Sequence, residues 1–368
     1  MKIGINATVL TEKNLCGIGH SLFHLLDAFA RLNLEDEFHC IAGKKMTYSP
    51  KRGNFHLHYI PLRGLSYFGM SKAINALQCD IAFIPGEVVP FRTSVPTIIT
   101  VYDLFPLICS KEIKKELTFK NKLHFFLASI LHFKRAKLIL TISEDTKKDL
   151  IERCEISADK IQVTHLGVNK DLFFPREKSQ IAAILKKYKI QSPYFINTSS
   201  VWWERKNLIR LIEAFDLFMS KTRDCQLVIT GNKGPSYEKM QELIHRKNLE
   251  HKIKLLEYVD RMDIPLLLSG ALALVFPSLH EGFGLPILEA MSCGCPVITS
   301  NVSALPEVAG DSALFINPLD VDSIEQAMIK IYYDKTMRQL LSQKGMIRAN
   351  EFSWEKTARS TLQAFYRV

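Results

Sequence analysis

His280-Glu281-Gly282-Phe283-Gly284-Leu285-Pro286-Ile287-Leu288-Glu289 is the stretch on which the fold turns. An apolar run at 271–276 precedes it and another at 296–299 follows, so the unit reads as strand, loop, helix, strand. Gly282 and Gly284 permit positive φ and a close approach of backbone to ligand, and Pro286 has the fixed φ suited to the first helical position. Amides at the start of that helix, aided by its dipole, make a site for a phosphate or diphosphate. Glu281 and Glu289 bracket the site and can accept hydrogen bonds from sugar hydroxyls. The plainer alternative is a βαβ turn whose helix carries two solvated glutamates.

The same alternation runs from end to end. Strand-like runs stand at 2–6, 38–42, 56–60, 81–84, 97–101, 138–141 and 162–165, then at 194–197, 226–230, 252–255, 272–276, 296–299 and 313–316. Helical patterns separate them, which predicts an α/β protein with two parallel sheets of five to seven strands, each covered on both faces. A helix over 207–220 places Leu208, Leu211, Ile212, Phe215 and Phe218 on one buried face. The stretch 169–192, with Pro175 and a charged helix at 181–188, sets the division between domains near 170–180. A last helix starts with Ser353 as its N-cap and buries Trp354, Ala358, Leu362 and Phe365.

With 368 residues and 47% hydrophobic content, the chain can build two ordinary cores. Its eight cysteines are scattered without paired or metal-binding spacing, so a reducing compartment is expected, with Cys293 and Cys295 packed in the interior. The N-terminus lacks the apolar core of a signal peptide, and no run reaches the length of a membrane span. A cytoplasmic location follows. The net charge of +10 favours acidic partners. No nucleic-acid motif accompanies it, so nucleic acid is not among the expected partners.

The segment from His280 continues as Ala290-Met291-Ser292-Cys293-Gly294-Cys295-Pro296-Val297-Ile298-Thr299-Ser300-Asn301, then Leu305-Pro306-Glu307-Val308-Ala309-Gly310-Asp311. It resembles, along its whole length, the two-glutamate signature of the retaining glycosyltransferases of family four, which have the GT-B fold. The resemblance implies two Rossmann-like domains facing a cleft. These would be an acceptor-side domain over 1–172, joined by the helix at 353–368, and a nucleotide-sugar domain over 173–352. It also implies transfer of a hexosyl group from a nucleoside-diphosphate sugar, GDP- or UDP-linked, to an acceptor hydroxyl of a glycan or lipid-linked glycan. Mannose is favoured because 299–318 looks most like bacterial mannosyltransferases of polysaccharide assembly. A sugar-nucleotide epimerase of the same fold, or an inactive glycan-binding relative, are the other readings.

Trp203-Glu204-Arg205-Lys206-Asn207-Leu208 is similar to the family's Arg-Lys-Asn element. Without that context the pair would read as a solvated turn. With it, Arg205 grips the leaving diphosphate bidentately and Lys206 as a point charge. No Asp-x-Asp motif stands at the family-like places, so neither a metal nor another cofactor is expected. The family's matched positions assign the sugar hydroxyls to Glu281, the ribose to Glu289, and the phosphates to the amides of Gly284 and Leu285 beside Gly282 and Phe283.

Four weaker elements complete the reading. Gly17-Ile18-Gly19-His20 is similar to the family's glycine-rich loop against donor and acceptor, before a helix at about 21–31; an ordinary turn is the alternative. Tyr102-Asp103 follows a strand, with tyrosine where the family often has histidine. Asp103 is assigned a positioning role and Tyr102 an acceptor contact, against ordinary strand-end residues. Gly231 and Val259 lie in turns like those beside the nucleotide. Over 111–137, basic residues outnumber acidic ones eight to two, and Phe119, Leu123, Phe126, Ile130 and Phe133 fall at helical spacing. That face fits either a core helix or a peripheral contact with an anionic membrane surface on the cytoplasmic side.

Overall fold

Among the described residues of a computed structural model, thirteen strands, each paired in parallel with its neighbours, form two sheets. The structure describes all residues except 13–14, 16, 33, 48–49, 51–52, 61–65, 87–89, 91–92, 105–130, 202 and 223, and the side chains of 66–68, 200 and 201. Most of the basic segment 111–137 therefore lies outside the described residues; of its aromatic face, Phe133 is described and is buried.

The first sheet comprises β1 (Lys2–Asn6), β2 (Glu37–Ala42), β3 (Phe55–Tyr59), β4 (Ile81–Ile84), β5 (Thr97–Val101), β6 (Leu138–Thr141) and β7 (Ile161–Val163), in the order β3-β2-β1-β4-β5-β6-β7. The second comprises β8 (Tyr194–Val201), β9 (Gln226–Asn232), β10 (Ile253–Leu256), β11 (Leu274–Phe276), β12 (Val297–Ser300) and β13 (Leu314–Ile316), in the order β10-β9-β8-β11-β12-β13. Central strands such as β4, β5, β6, β11 and β12 are buried along their whole length, as parallel strands covered on two faces must be. In each sheet the order reverses beside the first strand, between β1 and β4 and between β8 and β11. The loops leaving the carboxyl ends of such neighbours diverge and open a crevice for a ligand.

By contacts the chain divides into Met1–Gly167 with Ser353–Val368, and Val168–Phe352. In the first unit, the helix Gly17–Arg31 buries Leu22, Leu26 and Phe29. It begins at Gly17, not near 21, so Gly17, Gly19 and His20 form its first turn and are not a loop ahead of it. Close packing explains Gly19: a Cβ there would lie 3.2 Å from Leu15 Cδ2 and 3.4 Å from the Val9 carbonyl. The last helix, Trp354–Tyr366, belongs to this unit. Ser353 Oγ caps it by accepting from the Lys356 amide at 3.2 Å, and Ala358, Leu362 and Phe365 are buried while Trp354 is half-buried. The Phe365 ring sits 5.2 Å from that of Phe83 on β4. Gly167 lets the chain pass under this helix, since a Cβ there would meet the Trp354 nitrogen at 2.1 Å.

In the second unit, the helix Leu208–Lys221 buries Leu208, Leu211, Ile212, Phe215 and Phe218 on the face that the periodicity indicates. Cys293 and Cys295 are packed in the interior, where burial pushes the Cys293 thiol up to about 12 and raises that of Cys295 too. The six cysteines among the described residues are free and buried.

Candidate functional site

The loops after β8 and β11, at the reversal of the second sheet, carry the candidate residues. After β8 comes a single turn of 3-10 helix, Glu204–Lys206, and Asn207 ends it with φ +59°. The Asn207 amide nitrogen donates to the carbonyls of Pro277 at 3.0 Å and Pro318 at 2.6 Å. Its own oxygen accepts from Arg210. The Leu279 amide donates to the Arg205 carbonyl at 2.8 Å. These bonds clamp the arginine-lysine turn to the loop that bears Glu281.

Between them sits a charge cluster. Lys206 Nζ donates to Glu281 Oε1 at 2.5 Å, and Arg205 Nη1 donates to Glu281 Oε2 at 2.9 Å and to the His280 carbonyl at 3.1 Å. Glu281 and Lys206 are both buried. Burial alone would push the Glu281 carboxyl up, but Lys206 and Arg205 outweigh it and hold the carboxyl down at about 2. At neutral pH it is a carboxylate with no proton to give. Its two oxygens accept hydrogen bonds from Lys206 and Arg205 and hold both cations in place. The Glu281 amide donates to Ser303 Oγ at 3.1 Å, and Ser303 itself has φ +52°.

The loop turns into the helix Leu285–Ser292 at Gly284, whose φ of +104° places it in the region open to glycine. A Cβ there would also stand 2.8 Å from Leu305 Cδ2. Gly282 does not share this conformation. The helix starts at Leu285, so Pro286 is its second residue, still within the turn where a missing N–H costs nothing. Phe283 is buried edge-on against Phe352, with centroids 5.8 Å apart. Glu289, buried on the same helix, accepts a hydrogen bond from Arg261 Nη2 at 2.8 Å. The Arg261 guanidinium lies over the Phe173 ring at 5.2 Å.

Glu281, Arg205, Lys206 and the 282–285 turn thus form one connected group, and Glu289 follows on the helix which that turn opens. Gly231 has φ +145° at the end of β9, and its amide donates to the Glu257 carbonyl at 3.2 Å. Val259, two residues on, is buried, and Arg261 carries the same segment to Glu289. Gly17, Gly19, His20, Tyr102 and Asp103 belong to the first unit. There Tyr102 and Asp103 follow β5 half-buried, and Tyr102 lines a small cavity with Ser21, Leu25, Thr100, Thr164 and Trp354. Arg261, Ser303 and the clamp made by Asn207 escaped sequence reasoning. Asn207 lay inside the quoted Arg-Lys-Asn element, but nothing in its spacing foretells carbonyl partners 70 and 111 residues away.

Comparison with known proteins adds an independent line. Residues 17–172 match glycosyltransferase family 4, and residues 180–348 match glycosyl transferases group 1. The chain is 37% identical over 231 residues to O-antigen chain mannosyltransferase B of Escherichia coli, covering 62% of this chain and 60% of that protein. It is 28% identical over 299 residues to the serotype-specific mannosyltransferase WbdA of Escherichia coli, covering 77% of this chain and 34% of that one. These matches thus span 60% and 34% of the length of the two relatives. The structure of Anabaena HepE in complex with UDP-glucose superposes with a TM-score of 0.81 over 100% of both chains at 14% identity, which is a likeness of fold. Two family matches that together run from 17 to 348, on a pair of parallel Rossmann-like sheets, show that this chain belongs to the glycosyltransferases of GT-B fold, with a family 4 domain followed by a group 1 domain.

Proposed function

We propose that the protein is a retaining glycosyltransferase that moves a hexosyl group, mannosyl by preference, from a nucleoside-diphosphate sugar to an acceptor hydroxyl in glycan or glycolipid synthesis. One observation carries this reading: the Arg205 and Lys206 cations are held by the ionised Glu281 three residues before a glycine-capped helix N-terminus. That arrangement suits a ligand that is an anion at one end and a polyol at the other. The mannosyltransferases among its relatives favour the sugar, and the UDP-glucose in the HepE complex supports the donor class.

In the reaction, the bond from sugar C1 to the diphosphate oxygen breaks while a bond from C1 to the acceptor oxygen forms on the same face. The acceptor proton passes to the departing phosphate oxygen. Charge grows on that phosphate as the bond lengthens, and Arg205, Lys206 and the amides of Gly284 and Leu285 stabilise it. Glu281 accepts from sugar hydroxyls with lone pairs not used by the cations, and Glu289, fixed by Arg261, accepts from the ribose. The positive charge comes from side chains, so the proposal needs no metal and no cofactor. Asp103 is assigned to positioning, Tyr102 and His20 to the acceptor, and Gly17, Gly19, Gly231 and Val259 to the donor.

Among the described residues no helix is long and apolar enough to cross a membrane. A cytoplasmic enzyme, peripheral to the membrane through 111–137, is the corresponding proposal. A panel of nucleoside diphosphates and their sugars tests the function. A donor at 100 times its Kd should stabilise the fold by about 2.7 kcal/mol. Transfer to a lipid-linked glycan should proceed in EDTA and yield a product with the donor's anomeric configuration. No stabilisation by any nucleoside diphosphate, or inversion in the product, would overturn the reading. An epimer formed from donor alone would favour the epimerase.

A further inference from the structure

At one edge of the first sheet, β2 and β3 run parallel in a register that sets His39 opposite His56. Residues two apart on a strand share a face, so Glu37 and His39 on β2 and His56 and His58 on β3 all project to the same side. The rings are stacked: the His39 centroid lies 4.8 Å from that of His56 and 5.2 Å from that of His58. His39 Nε2 stands 3.4 Å from Glu37 Oε2, and His39 Nδ1 stands 3.0 Å from His58 Nε2. One ligand atom from each of Glu37, His39 and His56 lies within 4.8 Å of the other two.

Two imidazoles and a carboxylate so placed can surround a single ion and leave a position for water. We propose that Glu37, His39 and His56 bind a divalent transition-metal ion, zinc by preference, with His58 orienting His39. Imidazole and carboxylate donors suit zinc, nickel or copper(II) better than magnesium or calcium. The tautomer in which His39 Nδ1–H donates to His58 Nε2 leaves Nε2 unprotonated beside Glu37 and His56, and an imidazole held by its far nitrogen is the usual form of a histidine ligand. Burial is the main cause that keeps His39 below its ordinary value, opposed by Glu37 and aided by His56 and Lys2; burial with His39 and His56 does the same for His58. Lys2, opposite Glu37 on β1, is a cation that works against a dication here and tempers the affinity.

The ion would tie edge strand β3, paired on one side to β2, to its neighbour across two side-chain contacts. Binding to the folded chain alone stabilises it. None of the four residues takes part in the proposed transfer.

The test uses tag-free full-length protein stripped with EDTA and then dialysed against zinc. The parent should retain one equivalent and gain thermal stability, and magnesium should do neither. Glu37 and His56 are half-exposed, so the double variant Glu37→Gln, His56→Gln should keep the metal-free fold and nucleoside-diphosphate binding while losing zinc affinity by well over tenfold. His58→Gln should lose roughly tenfold. A parent that retains no zinc would overturn the proposal. So would a double variant that folds as the parent does and binds zinc equally well.

Discussion

Lys206 Nζ and Glu281 Oε1 meet at 2.5 Å in the interior of the second unit, joining loops 75 residues apart in sequence. Removing one member of such a pair leaves the other charge buried. Glu281→Ala should therefore destabilise the protein by roughly 3–5 kcal/mol, and Glu281→Gln by less because the amide still accepts a hydrogen bond from Lys206. Urea denaturation of both variants measures this. Equal stability of Glu281→Ala and the parent would refute it.

The same pair makes stability depend on acid. Glu281 has a folded value of about 2, lowered from 4.5. Its contribution is fully present above pH 4.5 and is lost as the pH falls toward 2, because protonation then favours the unfolded chain. Linkage gives a contribution of roughly 3 kcal/mol in the neutral range. The gap in urea midpoint between parent and Glu281→Gln should stay constant from pH 7 to 5 and narrow below pH 4.5.

Arg205→Ala and Lys206→Ala should each lower kcat/KM for transfer on the order of 10²-fold, the usual cost of one preorganised group at a developing anion. Affinity for the uncharged nucleoside should hardly change. Arg205→Lys should not restore activity: Nη1 is engaged by Glu281 and the His280 carbonyl, and a compact ammonium lacks the further donors of the planar guanidinium that would hold the diphosphate.

Arg261 acts through Glu289, so Arg261→Gln should weaken nucleoside-diphosphate binding roughly tenfold, in keeping with loss of a charge-assisted hydrogen bond. The effect should fall on KM for the donor and leave kcat nearly intact. A drop confined to kcat would place Arg261 elsewhere in the reaction.

Two glycines separate packing from function. Gly167→Ala would drive a methyl group into the backbone of Trp354, and a loss of about 3 kcal/mol is expected. Gly17→Ala meets nothing within 4 Å and sits in a helix, so it should stabilise by up to about 1 kcal/mol. If Gly17 serves as a close-approach point for a ligand phosphate, that more stable variant will still lose donor affinity. Calorimetric melting with a donor titration reads both quantities.

Much of the molecule was legible in one dimension because its signals are local. The alternation of apolar runs located the thirteen strands found among the described residues to within a few residues, and the period of 3.6 residues picked the buried face of Leu208–Lys221. The run from His280 to Glu289 marked the glycine turn into a helix, since Gly284 must supply a φ that few other residues tolerate. The start of the helix at Gly17 was missed because two glycines at 17 and 19 read as breakers until the packing of Gly19 against Leu15 is seen. Strand order belongs to tertiary structure alone: it puts β11 beside β8 and so brings the 205–206 turn against the Glu281 loop. No local preference encodes which parallel strand a crossover will choose. For the same reason the partners of the Glu281 carboxylate were set by tertiary proximity. Arg205 and Lys206, about 75 residues away in sequence, meet Glu281 in a buried site and hold its carboxyl ionised at neutral pH, which no spacing within 280–289 foretells.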